Sequence, residues 1–247
     1  MYYNKIYVQS DFPVLPNSVP RWKRFLDVSA VLLAAPILLP TMLAVGILVR
    51  IVSQGPVLFR QERVGYLGRR FMCFKFRTMF VNADTTVHQG HLDQLMDADT
   101  PLIKMDAKGD PRIIPFGRLL RASGLDELPQ LINVLRGEMS LVGPRPCLPY
   151  EYHKYQRWQK ERFNTLPGLT GLWQVGGKNK TTFTEMICLD IRYARAKTLW
   201  LDLKILLMTF PAVIAQVLES RDIRERRAFT RRDTAPVSNL SRRIVGQ

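Results

Sequence analysis

Residues 28–49, VSAVLLAAPILLPTMLAVGILV, decide the fold: the run carries no charged residue and is long enough to cross the hydrocarbon of a bilayer as one helix. It begins well inside the chain, exceeds the usual apolar length of a signal peptide and lacks a convincing cleavage site, so it stays attached to the rest of the chain. Pro36 and Pro40 lie near its middle. Each removes a helix hydrogen bond, and the ring of Pro40 meets the carbonyl of Pro36, so a sharp bend is expected there. Arg21, Lys23 and Arg24 precede the run, and Arg50, Arg60, Arg63, Arg69 and Arg70 follow it. Positive charge on both flanks gives the orientation rule no preferred side. Two architectures fit these residues. One is a proline-kinked span, the commoner arrangement. The other is a re-entrant helix pair that dips into one leaflet, bends at Pro36 to Pro40 and returns both basic ends to the cytoplasmic face.

Around this element the chain has the bulk of a folded protein, with 247 residues of which 47% are hydrophobic, so general disorder is excluded. Lys and Arg total 36 against 21 acids, a net charge of +15, which calls for an anionic partner: nucleic acid, an anionic bilayer or phosphorylated substrates. Cys73, Cys147 and Cys188 are far apart and form no CxxC, so neither a disulfide framework nor a zinc site is indicated and reduced thiols are the default.

Residues 1–20 hold Pro13, Pro16 and Pro20 and read as a flexible lead, and 21–52 form the membrane element. Residues 53–79 alternate apolar and polar positions around Gly55, Gly65 and Gly68, the pattern of a short hairpin. Residues 81–111 are polar and loop-like, and His88 and His91 within them read as solvent-exposed. Helical spacing follows at 116–120 and 128–136, with Pro129 in a first turn and Gly137 as a stop. Residues 151–163 read as an amphipathic helix, and 189–218 as a long helix or pair interrupted at Pro211. Trp158, Trp173 and Trp200 suit either a headgroup layer or an ordinary core. From Arg221 to the end, Arg224, Arg226, Arg227, Arg231, Arg232, Arg242 and Arg243 give the composition of a disordered basic tail. The expected fold is mainly α with a small extended element, amphipathic helices at the interface, and a domain over 53–220 on the membrane surface.

Chemistry concentrates at residues 121–146, RASGLDELPQLINVLRGEMSLVGPRP, where Asp126 and Glu127 adjoin each other near Arg118, Arg121, Arg136 and Arg145. Cations can hold a phosphate ester while one acid attacks it or binds a divalent metal. The same residues admit a structural reading, in which Ser123 caps a helix whose first turn carries Glu127. A capped helix start is itself an anion site, so the readings are compatible.

Taken in order, PRWKRFLDVSAVLL, GPVLFRQERVGYLGRRFMCFKFRTM, GDPRIIPFGRLLRASGLDELPQLINVLRGEMSLVGPRP and LPGLTGLWQV resemble the bacterial sugar transferases, the monotopic phosphoglycosyl transferases that start exopolysaccharide, capsule and glycoconjugate assembly. The match runs from about Arg21 to about Pro211. The resemblance implies transfer of a sugar 1-phosphate from a UDP-sugar to undecaprenyl phosphate, with release of UMP and magnesium as cofactor, on the cytoplasmic face of the bacterial inner membrane. It also implies the re-entrant helix rather than the span, with Pro36 at the bend. Asp126 matches the family nucleophile, which forms a covalent phosphosugar, and Glu127 the companion acid; both are the implied metal ligands. Lys75, Arg77, Arg121 and Arg145 match basic positions for phosphate, and Gln174, Asp190 and Arg192 complete the implied substrate-binding set. Tyr193 stands with Asp190 in a DxxY stretch.

The sequence departs from the family pattern at Ala35, at Lys197-Thr198 and at Gly177-Lys178; none of these touches the acid pair. Anionic lipids are the implied partner of the basic surface, with no nucleic acid, and a homo-oligomer is left open. Two other classes compete with the enzyme: a membrane-anchored basic module that binds without turnover, and a scaffold subunit of an export complex. The sugar cannot be read from the residues.

Overall fold

The computed structural model describes residues 19–81, 90, 110, 112–177 and 181–233, the last fifteen of them (219–233) as backbone only. Residues 1–18, most of 82–111, 178–180 and 234–247 lie outside the described residues. The lead, His88, His91 and the end of the tail therefore fall outside the description.

Helix α1, Arg21–Val52, starts directly after Pro20 and ends where Ser53 turns extended. It contains both Pro36 and Pro40, so any bend is absorbed within one helix rather than by a loop between two. Lys23, Asp27, Val31, Val45 and Val49 are buried, and Leu38 and Met42 pack against the same cores, forming one helical stripe that meets the domain on both sides of the prolines. The opposite face is apolar and open, with Leu33 82% and Ile37 75% exposed. A continuous apolar surface of this kind is unsuited to water. Helix α1 and the segment Leu199–Leu218 are each long and apolar enough to cross a membrane.

The expected hairpin is present. Strands β1, Leu58–Val64, and β2, Arg70–Phe76, pair antiparallel with Phe59 opposite Lys75, Gln61 opposite Cys73 and Arg63 opposite Phe71. Since side chains alternate along a strand, these residues share one face. Helix α2, Gly117–Ser123, closes at Gly124 in the left-handed region, and a 3₁₀ turn, Leu125–Gln130, carries the acid pair into α3, Leu131–Arg136, which Gly137 ends. Strand β3, Ser140–Val142, pairs parallel with β4, Gly168–Thr170. The backbones cross so closely that a Cβ on Gly168 would overlap Gly143 N.

Several elements differ from their sequence reading. Instead of one helix over 151–163 there is α4, Pro149–Lys154, and a separate 3₁₀ segment, Trp158–Phe163. The chain turns extended at Tyr155, whose ring packs with Phe163 and Phe183 while its hydroxyl accepts from Arg162 at 2.8 Å. Burying that ring outweighs helical spacing. After α5, Leu172–Val175, helix α6, Phe183–Ala196, is opened by a capping box between Thr182 and Glu185. The break before α7, Leu199–Asp233, falls at Lys197 and Thr198 rather than at Pro211, which α7 runs through. There Thr198 Oγ1 accepts the Leu201 N–H at 3.2 Å, the role of an N-cap. Arg221, the expected start of a disordered tail, lies inside α7; the Arg, Glu and Ala of that stretch are good helix formers. Of the tryptophans, Trp173 is core, Trp158 packs at its edge, and Trp200 is 80% exposed.

A buried polar knot fixes the start of α1. Lys23 Nζ donates to Val142 O at 2.8 Å, Tyr193 Oη at 2.8 Å and Asp202 Oδ2 at 2.6 Å, which uses all the protons of an ammonium. Tyr193 donates to Asp202 Oδ1 at 2.7 Å. One turn along α1, Asp27 accepts from Ser140 Oγ and Leu141 N, both at 2.9 Å.

Candidate active site

The 3₁₀ turn sets Asp126 and Glu127 side by side against β2. Asn133 on α3 ties that turn to the strand by donating to Met72 O at 2.7 Å and accepting from Phe74 N at 3.2 Å. Lys75 is thereby held opposite the acids, and Lys75 Nζ meets Glu127 Oε1 at 2.7 Å. From the loop after β3, Arg145 Nη2 reaches the same oxygen at 3.2 Å. Ser123 caps nothing here: its hydroxyl donates back to Leu119 O at 2.8 Å, and no side chain caps the turn. The structural reading of that segment is therefore set aside.

Asp126 is 8% exposed. Burial first, then the neighbouring Glu127, push its carboxyl above the ordinary aspartate value, while Lys75, Arg121 and Arg145 pull it back. A desolvated carboxylate facing cations is a stronger nucleophile than one in water, because it has lost the hydration that blunts it. The neighbouring Glu127 lines a small, partly open cleft together with Arg63, Cys73, Lys75, Gln130, Arg145, Pro146 and Gly168. Its charged lining is Arg63, Lys75 and Arg145 against Glu127, a surface made for anions. A divalent cation would find oxygen donors in Asp126 and Glu127, which suits a metal held by one or two carboxylates plus substrate phosphates. Among the described residues no group of three or more His, Cys, Asp and Glu is gathered for a metal.

The remaining expected site residues are distributed differently. Arg77 lies outside the cleft lining: its guanidinium donates to Ser53 O at 2.8 Å and Gln54 O at 2.7 Å, closing the end of α1. Gly55, at φ 109°, leaves the room this requires, since a Cβ there would collide with Arg77 Nη1. Asp190 is 1% exposed and bound to Arg162 Nη2 at 2.5 Å. Burial pushes it up to about 6 in spite of that partner. Arg162 also donates to the Arg145 carbonyl at 3.0 Å, which links Asp190 to the cleft lining through Arg162. Arg192 is exposed on α6 and is absent from the cleft lining. Gln174, on α5, keeps both amide atoms buried and, among the described residues, without a partner; a Cβ on Gly171 would meet its Oε1. Arg121 acts on Asp126 electrostatically, and its carbonyl accepts from Gln216 at 3.2 Å.

Arg63, Gln130 and Arg162 were missed in the sequence. The signal for Arg63 was the hairpin itself: counting by twos from Lys75 to Cys73 and crossing to β1 leads to the Arg63 face. Arg162 carried no such signal, because its partners lie 17 and 28 residues away.

Comparison with known proteins shows the family. The model of a family described as bacterial sugar transferase matches residues 18–216. A galactosyl transferase, CpsE, of Streptococcus agalactiae is 40% identical over 194 residues, 78% of this chain and 42% of its own length. The exopolysaccharide production protein ExoY of Sinorhizobium fredii is 37% identical over 77% of this chain and 84% of its length. A UDP-glucose:undecaprenyl-phosphate glucose-1-phosphate transferase of Caulobacter vibrioides is 40% identical over 78% of this chain and 69% of its length. The chain thus spans about two fifths of the first relative and most of the other two. With the matched region enclosing α1, the acid pair and the whole cleft, the chain belongs to the bacterial sugar transferase family.

Proposed function

We propose that the protein transfers a sugar 1-phosphate from a UDP-sugar to undecaprenyl phosphate at the cytoplasmic face of the inner membrane, releasing UMP, as the first step of exopolysaccharide or glycoconjugate synthesis. The observation that carries this reading is the buried Asp126 beside an anion-seeking cleft, on a domain joined to an apolar helix. The Caulobacter relative, whose name states this reaction for glucose, supports it from outside.

The chemistry runs in two displacements. An Asp126 carboxylate oxygen bonds to the sugar-bearing phosphorus while that phosphorus parts from the nucleotide phosphate, and UMP leaves with the bridging oxygen. A lipid phosphate oxygen then bonds to the same phosphorus, and its bond to Asp126 breaks, restoring the carboxylate. Lys75 and Arg145 neutralise the phosphate that Asp126 approaches, and Glu127 holds both of them in place. Magnesium, for which Asp126 and Glu127 offer ligands, neutralises further phosphate charge when bound. Splitting the transfer spares the site from holding a soluble nucleotide and a lipid together. The apolar face of α1 keeps Asp126 near the depth at which lipid phosphates lie. That Lys23 and Asp27 at its start and Val49 at its end are all buried in one domain supports a re-entrant path with both ends on the cytoplasmic side.

Enzyme reconstituted in lipid with undecaprenyl phosphate and a panel of UDP-sugars tests the reading. Sustained UMP release over many turnovers that requires donor, acceptor and magnesium is the expected result. Continued silence with every donor would reject it in favour of a binding or scaffold subunit.

A further inference from the structure

The cleft contains one cation whose role the two displacements have not used. Arg63 is fixed at both ends of its guanidinium, Nη1 donating to Pro146 O at 3.2 Å and Nη2 to Gln61 Oε1 at 2.7 Å. Its Nε is buried and has no partner among the described residues. The neighbouring Glu62 turns to Arg70 on the exposed side of the hairpin, so the carboxylates that act on Arg63 are Glu151 and Glu127. Burial, then the positive Arg145, press its pKa below the usual arginine value. A charged, desolvated donor that is held rigidly in a cleft beside a like charge is stable only at a cost, and an anion would relieve it.

Position within the cleft says which anion. Lys75, which meets Glu127, pairs across the hairpin with Phe59, whereas Arg63 lies four residues further along β1 on the same face, so the two cations stand at different ends of the cleft lining. In-line displacement at phosphorus places the attacking and leaving oxygens at opposite ends. With Asp126 at one end in the first displacement, the departing nucleotide phosphate is at the other. In the second, Asp126 is the leaving group, and the lipid phosphate must enter from the end that UMP vacated. From this we infer that Arg63 is a shared phosphate subsite, occupied in turn by the phosphate of the leaving nucleoside monophosphate and by the monophosphate of the lipid acceptor. The inference rests on the two-step reading. Its covalent bookkeeping is that already given, with Arg63 forming hydrogen bonds only.

The test uses the full-length protein in lipid nanodiscs, wild type against Arg63→Gln and Arg63→Lys, with UMP binding measured directly by equilibrium dialysis. Both half-reactions are followed separately: labelling of the protein by donor alone, and chase of the labelled protein with undecaprenyl phosphate. Arg63→Gln is expected to weaken UMP binding and slow both halves by about 10- to 100-fold, the scale of a lost charge-assisted hydrogen bond, with Arg63→Lys recovering part of each. UMP is also expected to inhibit the chase competitively with the lipid phosphate. Unchanged UMP binding in a folded Arg63→Gln protein would overturn the inference, as would a loss confined to one half-reaction. Should Arg63→Gln not fold, noncompetitive inhibition of the wild-type chase by UMP would overturn it equally. Failure of the wild type to take label from donor would instead strike at the two-step reading itself, so the failures are distinguishable.

Discussion

Asp190 is joined to the cleft lining through Arg162 and the Arg145 carbonyl without lining the cleft itself. Its carboxyl is buried against Arg162 and titrates at about 6 rather than near 3.8. Folding is then linked to proton uptake between those values: this group's contribution is fully present below pH 3.8 and is lost as pH rises through about 6. Thermal melts should therefore fall in midpoint across that window, and Asp190→Asn should flatten the slope. Asp190→Ala leaves the Arg162 charge buried and unpaired, at about 3–5 kcal/mol, and chemical denaturation measures the loss. Activity should drop as well, because Arg162 holds the Arg145 carbonyl. Motif matching marked Asp190, Arg77 and Arg192 as substrate contacts because a motif records which residues recur and says nothing of what they touch. For Arg77 the partners are the carbonyls ending α1. Arg77→Ala should cost about 1–3 kcal/mol of stability, read by thermal melting, without altering nucleotide binding. The clustering of the acid pair with cations, in contrast, was legible, since Glu127 meets Lys75 and Arg145 in the fold.

Among the elements, those with a strict local period were readable and those shaped by distant contacts were not. The alternation of β1 and β2 and the glycine stop of α3 survive intact. The division of 151–163 into two pieces follows from Tyr155 entering a core shared with Phe183, a contact 28 residues ahead that local spacing does not encode. The junction at Lys197 and Thr198 is likewise set by the need to bring Asp202 under Lys23. That pairing links the start of α1 to α7 through side chains with no exposed surface. Lys23→Ala should destabilise the protein by about 3–5 kcal/mol, since Asp202 stays buried and uncompensated, whereas Lys23→Met with Asp202→Leu should recover much of the loss. Denaturation of the two variants side by side checks this; equal losses in both would mean that the knot contributes only through packing.

At the scale of the molecule, charge and apolar surface divide the labour. The exposed apolar faces of α1 and of Leu199–Leu218 suit contact with lipid, while the excess of Lys and Arg suits anionic surfaces. The apolar run was evident from the sequence. Its path was not, because proline within a helix is compatible with a span and with a bend alike. Cysteines introduced at Arg21 and Arg50, which flank the apolar run and are exposed, should both be shielded from periplasmic reagent and both react once the inner membrane is opened. Reaction of Arg21→Cys from outside, with Arg50→Cys protected, would require a span. The whole account turns on Asp126 becoming esterified in the course of the reaction. Incubating the protein with UDP-sugar and magnesium but no lipid acceptor, followed by mass spectrometry of the peptide carrying residue 126, tests this most directly. The predicted result is a sugar-phosphate adduct on Asp126 that forms with UMP release, disappears when undecaprenyl phosphate is added, and is missing in Asp126→Asn. Rapid product formation with an unmodified Asp126 peptide, or full turnover in Asp126→Asn, would contradict it.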